Sequence, residues 1–347
     1  MYVAKDLLCA PTCSSLHKLA RTFLLLPPAA QTAMKTSTLL SGLALRAAIS
    51  HAFLPPQPKG VTLKHIQHVP GASISYKETH ICETKAKAYA GYVNMPAAYM
   101  SDIQGAVPYN ASIFFWYFQA REQPERSPTT IYLAGGPGQS SIFGATSDGG
   151  PCYVLNDSNS TENNPWSLNK HSNVLYVDQP VDAGFSYQSI IEGTLDLLWD
   201  QATSPYPSPI TPLDAYNGSV PAENTTFLYG RFPDQSLAKT ANNSVIAART
   251  LWHFAQLWFG EFAERGTCDE RIDLAGNSYG GYWVSTSAAH FQRQNEKIKQ
   301  RTLRGRHLQV DTAIITNGCI DELSQGEWYP HLAYNNTYGI EVIPEDV

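Results

Sequence analysis

Two rhythms of apolar residues divide this chain. Residues 88–93 alternate with a period of two, and residues 112–118 (Ser-Ile-Phe-Phe-Trp-Tyr-Phe) are apolar on both faces, as a strand inside a sheet must be. The strand signal returns over 129–133, which runs into Ala134-Gly135-Gly136-Pro137-Gly138, and over 173–178, which runs into Gln179-Pro180. From Ser236 the period lengthens. Leu237, Ala241, Val245, Ala248, Trp252, Ala255, Phe259 and Phe262 step by three or four residues and predict one long helix with an apolar stripe. A short strand over 271–275, a helix from Tyr279 to Gln294 and a strand over 310–316 follow. Strands alternating with helices predict an α/β fold with a mainly parallel sheet covered by helices on both faces. Between Gln188 and Pro233 proline, serine and asparagine dominate, which reads either as a surface excursion shaping a binding site or as disorder.

Ligands of such sheets bind beyond the carboxyl ends of the strands, where Ser278, the Gly135-Gly136 loop, Gln179 and Asn317 all fall. The sharpest chemical signal there is Gly276-Asn277-Ser278-Tyr279-Gly280-Gly281, a G-x-S-x-G pentapeptide between a strand and a helix. That context suits a nucleophile elbow: glycines let the backbone turn tightly so that the serine hydroxyl stands clear. Acyl transfer also needs two N–H donors for the developing oxyanion. One is expected from Tyr279, the residue after the nucleophile, and one from the glycine loop at 135–138.

Composition narrows the setting. Net charge is -6, with no basic cluster interleaved with aromatics, so nucleic acid is not an expected partner. The cysteines, Cys9, Cys13, Cys82, Cys152, Cys268 and Cys319, show neither C-x-x-C nor histidine spacing, so neither a zinc site nor any other cofactor is expected, and the last four read as disulfide stock. Residues 34–52, from Met34 through an apolar core to Ser50-His51-Ala52, have the form of a signal peptide and are too short for a stable membrane span. The stretch before Met34 is either an over-extended gene reading or a disordered tail. Sequons at Asn110, Asn156, Asn159, Asn217, Asn224, Asn242 and Asn335 favour N-linked glycans and a secreted or vacuolar protein.

Four segments in order, 133–141 (LAGGPGQSS), 173–187 (NVLYVDQPVDAGFSY), 276–281 (GNSYGG) and 317–321 (NGCID), resemble the serine carboxypeptidases. The resemblance implies an α/β-hydrolase fold and removal of single residues from peptide or protein C-termini. It carries over Ser278 as nucleophile, Gly136 and Tyr279 as oxyanion donors, and Asn277, Asp148 and Gly135 as the group around the substrate's terminal carboxylate. Two positions depart from the family pattern. Ala134 stands where the family has an asparagine, and Asn277 stands where it has a glutamic acid that donates to that carboxylate. An amide donates at any pH, so weaker carboxylate recognition and less dependence on acid are expected.

In this fold an Asp and then a His follow the serine on later strands. His290 would lie ~18 Å along its helix from the elbow, and His307 precedes its strand, at the wrong edge of the sheet. His331 alone escapes exclusion, and Asp321 matches the NGCID segment and not the catalytic aspartate. Residues 53–347 are accordingly expected to be a partial α/β-hydrolase domain, ending where a cap insertion begins. The chain then reads as a truncated carboxypeptidase, as a non-catalytic pseudo-hydrolase, or as an acyltransferase on the same scaffold.

Overall fold

The computed structural model describes residues 59–344, except 104–107, 148, 207, 217 and the side chain of Leu237. The leader at 34–52, Asp148 and the sequon at Asn217 therefore lie outside the described residues. The chain opens with β1 (Thr62–His65), β2 (Ser73–Thr79), β3 (Ala88–Met95) and β4 (Ala111–Phe118). Next come β5 (Thr129–Leu133), α1 (Ser141–Ala145), the hairpin of β6 (Cys152–Val154) and β7 (Thr161–Asn163), and β8 (Asn173–Val177). A satellite of β9 (Ile190–Asp196), β10 (Ile210–Pro212) and β11 (Phe227–Pro233) precedes α2 (Ser244–Glu261), β12 (Arg271–Asn277) and α3 (Gly280–Lys299). β13 (Gln309–Thr316), α4 (Glu322–Gly326) and α5 (Trp328–Tyr334) complete the described elements.

Eight strands form one mixed sheet in the order β1-β2-β3-β4-β8-β5-β12-β13. β1 to β4 pair antiparallel in sequence order and β4 meets β8 antiparallel, whereas β8, β5, β12 and β13 run parallel. The parallel half is the one whose strand ends gather Gly135, Gln179, Ser278 and Asn317.

β4 explains its own composition. Phe115 and Tyr117 turn to one face and meet Trp258 of α2 edge-on, while Trp116 and Phe118 turn to the other, where Phe118 meets Tyr176 of β8. Both sides are filled, so a strand with no polar face is stable there; each fully buried ring contributes about 1.5–3 kcal/mol.

The long helix starts later than its stripe predicts. Asn243 caps it, its side chain accepting from Ile246 N–H, and α2 begins at Ser244. Leu237 falls in a separate 3-10 turn, Ala241 precedes the cap, and Val245 is exposed. Its buried apolar residues are Ala247, Ala248, Leu251, Trp252, Phe254, Ala255, Leu257, Trp258 and Phe259. The polar stretch after Gln188 is ordered as the antiparallel sheet β10-β9-β11.

A covalent and an ionic tie brace the flank beside β6. Cys82 is bonded to Cys152, and Cys319 is a half-buried free thiol. Next to the disulfide, Arg121 Nε donates to Glu83 Oε2 at 2.7 Å, with the two side chains 8% and 0% exposed. Burial alone would raise the Glu83 carboxyl; hydrogen bonds from Asn169, Lys85 and Arg121 outweigh it and hold the group below its ordinary range. Arg121 also donates to the carbonyls of Asn164 and Pro151, so one guanidinium pins several loops.

Candidate active site

Ser278 follows the last residue of β12 and precedes α3, has φ +54° and is exposed. A non-glycine residue in this left-handed region costs on the order of 1–3 kcal/mol and persists only where its surroundings hold it. They do so here: its N–H donates to Thr316 O of β13 at 3.2 Å, and its carbonyl accepts from Gly281 N and Cys319 N, each at 2.9 Å. The flanking glycines are forced by close approach. A Cβ on Gly276 would sit 2.9 Å from the carbonyl oxygens of both Gly280 and Leu133, and one on Gly280 would sit 2.7 Å from Leu133 O.

The loop after β5 lies directly against this elbow. A Cβ on Gly135 would come within 2.9 Å of both Ser278 Cβ and Tyr279 N. Gly136, with φ +109°, turns the loop one residue further on. Among the described residues neither Gly136 N–H nor Tyr279 N–H donates to any acceptor. Two backbone donors are thus unmet, one on the residue after Ser278 and one on the glycine loop whose Gly135 packs against the elbow.

Asp178, at the end of β8, holds the loop in place. Fully buried, it accepts from Ser140 Oγ at 2.8 Å, Ser141 N at 2.7 Å and Phe185 N at 2.9 Å. Burial pushes its carboxyl up from the ordinary value, and these donors pull the other way. Sequence patterning gave no hint of this role beyond placing Asp178 at a strand end.

Asn277 ends β12 with its Oδ1 buried and without a hydrogen-bond partner among the described residues, and its Nδ2 is likewise unbonded. A pocket of about 290 Å³ opens beside the elbow, lined by Pro137 and Gly138, residues 180–183 and 240–243, and Tyr279 and Trp283. Asp182 on its wall has φ +72° and a buried Oδ1 without a partner among the described residues. Its carboxyl is raised to about 6, chiefly by burial and further by the negative charge of Asp234, against a bond from Gln188.

Three histidines follow the elbow in sequence. His290 is buried on α3 against Trp252 and is pushed down to about 4, first by burial and then by Arg249 and Arg293. His307 is exposed between α3 and β13, and His331 on α5 bonds to Asn335 and packs on Trp328 and Tyr334. No hydrogen bond of the Ser278 hydroxyl occurs among the described residues. A further pair, His253 Nε2 and Asp102 Oδ1 at 2.6 Å, joins α2 to a turn 151 residues earlier, a separation that leaves no sequence signal. Among the described residues no group of three or more His, Cys, Asp or Glu could hold a metal ion.

A mixed sheet carrying a strand–serine–helix elbow at its parallel end defines an α/β hydrolase. The family model described as serine carboxypeptidase matches residues 79–341, and the chain belongs to that family. Carboxypeptidase S1 homolog B of Arthroderma otae is 44% identical over 313 residues, covering 87% of this chain and 46% of that protein. The carboxypeptidase Y homolog of Arthroderma benhamiae is 37% identical over 297 residues, covering 84% of this chain and 45% of the relative. Among solved structures, Kex1(delta)p, a prohormone-processing carboxypeptidase from Saccharomyces cerevisiae, gives a TM-score of 0.49 at 22% identity, over 75% of this chain and 44% of that one. The chain spans about half the length of the curated relatives it matches, 46% of the first.

Proposed function

We propose that this chain carries the nucleophile and oxyanion site of a serine carboxypeptidase that releases C-terminal residues from peptides and proteins. Ser278 Oγ attacks the last peptide carbonyl, and the N–H groups of Gly136 and Tyr279 take the oxygen's developing charge. The C-terminal amine leaves, and the acyl-enzyme is then hydrolysed. The Ser278 proton must pass to a base, which the fold's chain order places after later strands. Asn277, Asp148 and Gly135 are assigned to the substrate's free carboxylate, Asn277 through its unbonded amide. Membership of the carboxypeptidase family supports the substrate class. The leader and the exposed sequons support passage through the secretory pathway to a secreted or vacuolar site, with N-linked glycans attached. No helix among the described residues is long and apolar enough to cross a membrane.

The observation that carries this reading is the exposed Ser278 at φ +54° with the Gly135 loop packed against its elbow, the N–H groups of Gly136 and Tyr279 having no acceptor among the described residues. The test is labelling with a fluorophosphonate, together with mass analysis of a peptide incubated with the chain. Label on Ser278, absent in Ser278→Ala, and stepwise loss of C-terminal residues are the expected results. A chain that takes no label and leaves the peptide intact would remove the reading.

A further inference from the structure

The sequons raise a question that their number does not answer, namely where a glycan would stand relative to the site. Asn242, in Asn242-Asn243-Ser244, is exposed and lies immediately before the residue that caps α2. Its Oδ1 accepts from Asn243 Nδ2 at 2.8 Å, and its own Nδ2 makes no hydrogen bond among the described residues. The backbone beneath it is fixed, because Asn243 Oδ1 accepts from Ile246 N at 2.9 Å and Thr240 Oγ1 donates to Val181 O. Asn242 also lines the pocket beside the elbow, together with Pro137, Gly138 and Tyr279. The exposed sequons at Asn110, Asn156, Asn159 and Asn224 belong to other loops and line none of that pocket.

We propose that Asn242 is N-glycosylated and that its glycan stands over the substrate pocket as a size filter, admitting slender extended C-termini and holding back folded proteins. In the modifying step Asn242 Nδ2 loses a proton and bonds to the anomeric carbon of a lipid-pyrophosphate-linked oligosaccharide, whose bond to the pyrophosphate oxygen breaks. An oligosaccharide rooted at the rim is bulkier than the pocket it overlooks, so it excludes by volume and touches no reacting atom. The filter rests on the carboxypeptidase reading, whereas the modification itself rests only on export.

The experiment uses the full chain secreted from a glycosylating host. Glycopeptide mass spectrometry reads occupancy at Asn242, Asn156 and Asn159. Calorimetry compares a blocked dipeptide with the same C-terminal sequence carried on a folded protein. Ser244→Ala removes the sequon without touching the pocket, and Ser244→Thr keeps it. Expected are a glycan on Asn242 that is lost in Ser244→Ala and retained in Ser244→Thr, unchanged dipeptide affinity, and several-fold tighter binding of the protein-borne C-terminus only in Ser244→Ala. A bare Asn242 beside occupied Asn156 or Asn159 would overturn the proposal alone. No glycan anywhere would overturn it together with the export reading. Occupied Asn242 with neither ligand bound would keep the modification, overturn the filter and count against the peptide reading. Equal binding of the protein-borne C-terminus by all forms would overturn the filter while leaving that reading intact.

Discussion

At the scale of single residues the proposed carboxylate role of Asn277 makes a pH prediction. Its amide can donate to a carboxylate at any pH, whereas a glutamic acid can donate only when protonated. Asn277→Glu is therefore expected to make the affinity for a blocked dipeptide with a free C-terminus rise about tenfold as pH falls from 7 to 4.5, one hydrogen bond to a charged group being worth about 1.5 kcal/mol or more. Calorimetry at both pH values checks this, and a flat profile in the variant would remove the assigned role. Asp182 bears on stability. Its folded-state carboxyl is raised from 3.8 to about 6, so the folded chain holds a proton that the unfolded chain has released. Its contribution is fully present below pH 3.8 and is lost as pH rises through about 6. Asp182→Asn should flatten the fall of the urea midpoint across that window, leaving the part due to Asp178 and Asp273, whose carboxyls burial also raises. An unchanged slope in Asp182→Asn would contradict this account.

Secondary-structure elements were legible where one local rule governed them. Residues 129–133 match β5 end for end, and the two-faced apolar run at 112–118 is β4 less one residue. The elbow was legible for the same reason, since strand, glycines, serine and helix are neighbours in sequence. The start of α2 was not, because Leu237 and Ala241 continue an apolar period that Asn243 interrupts with a side-chain hydrogen bond. Asn243→Ala should lower stability by about 1 kcal/mol, seen as a drop in thermal midpoint, with helix content by circular dichroism nearly unchanged. The strands β1 and β2, the antiparallel pairing of β1 to β4 and the β10-β9-β11 satellite escaped, since pairing partners are chosen by tertiary contact.

At the scale of the whole molecule, cross-links between distant segments matter most, and these the sequence could not disclose. Cys82 and Cys152 lie 70 residues apart, and closing such a loop stabilises by about 4 kcal/mol. The Glu83–Arg121 pair, Asp178's grip on Ser140 and Ser141, and the His253–Asp102 contact are likewise products of folding. Arg121→Leu would leave the Glu83 carboxylate buried beside an apolar neighbour and should cost about 3–5 kcal/mol in urea unfolding, whereas joint replacement of Glu83 and Arg121 by apolar residues should recover much of that loss.

β13 carries one residue more than β12 can match: Ile272 faces Val310 and Asp273 faces Thr312, so Asp311 is left over. Everything downstream inherits that offset, including Thr316, whose carbonyl holds the Ser278 amide. The extra residue, an exposed acid ~17 Å up the strand, is therefore what brings Thr316, and not Ile315, opposite Asn277 and within reach of the Ser278 amide.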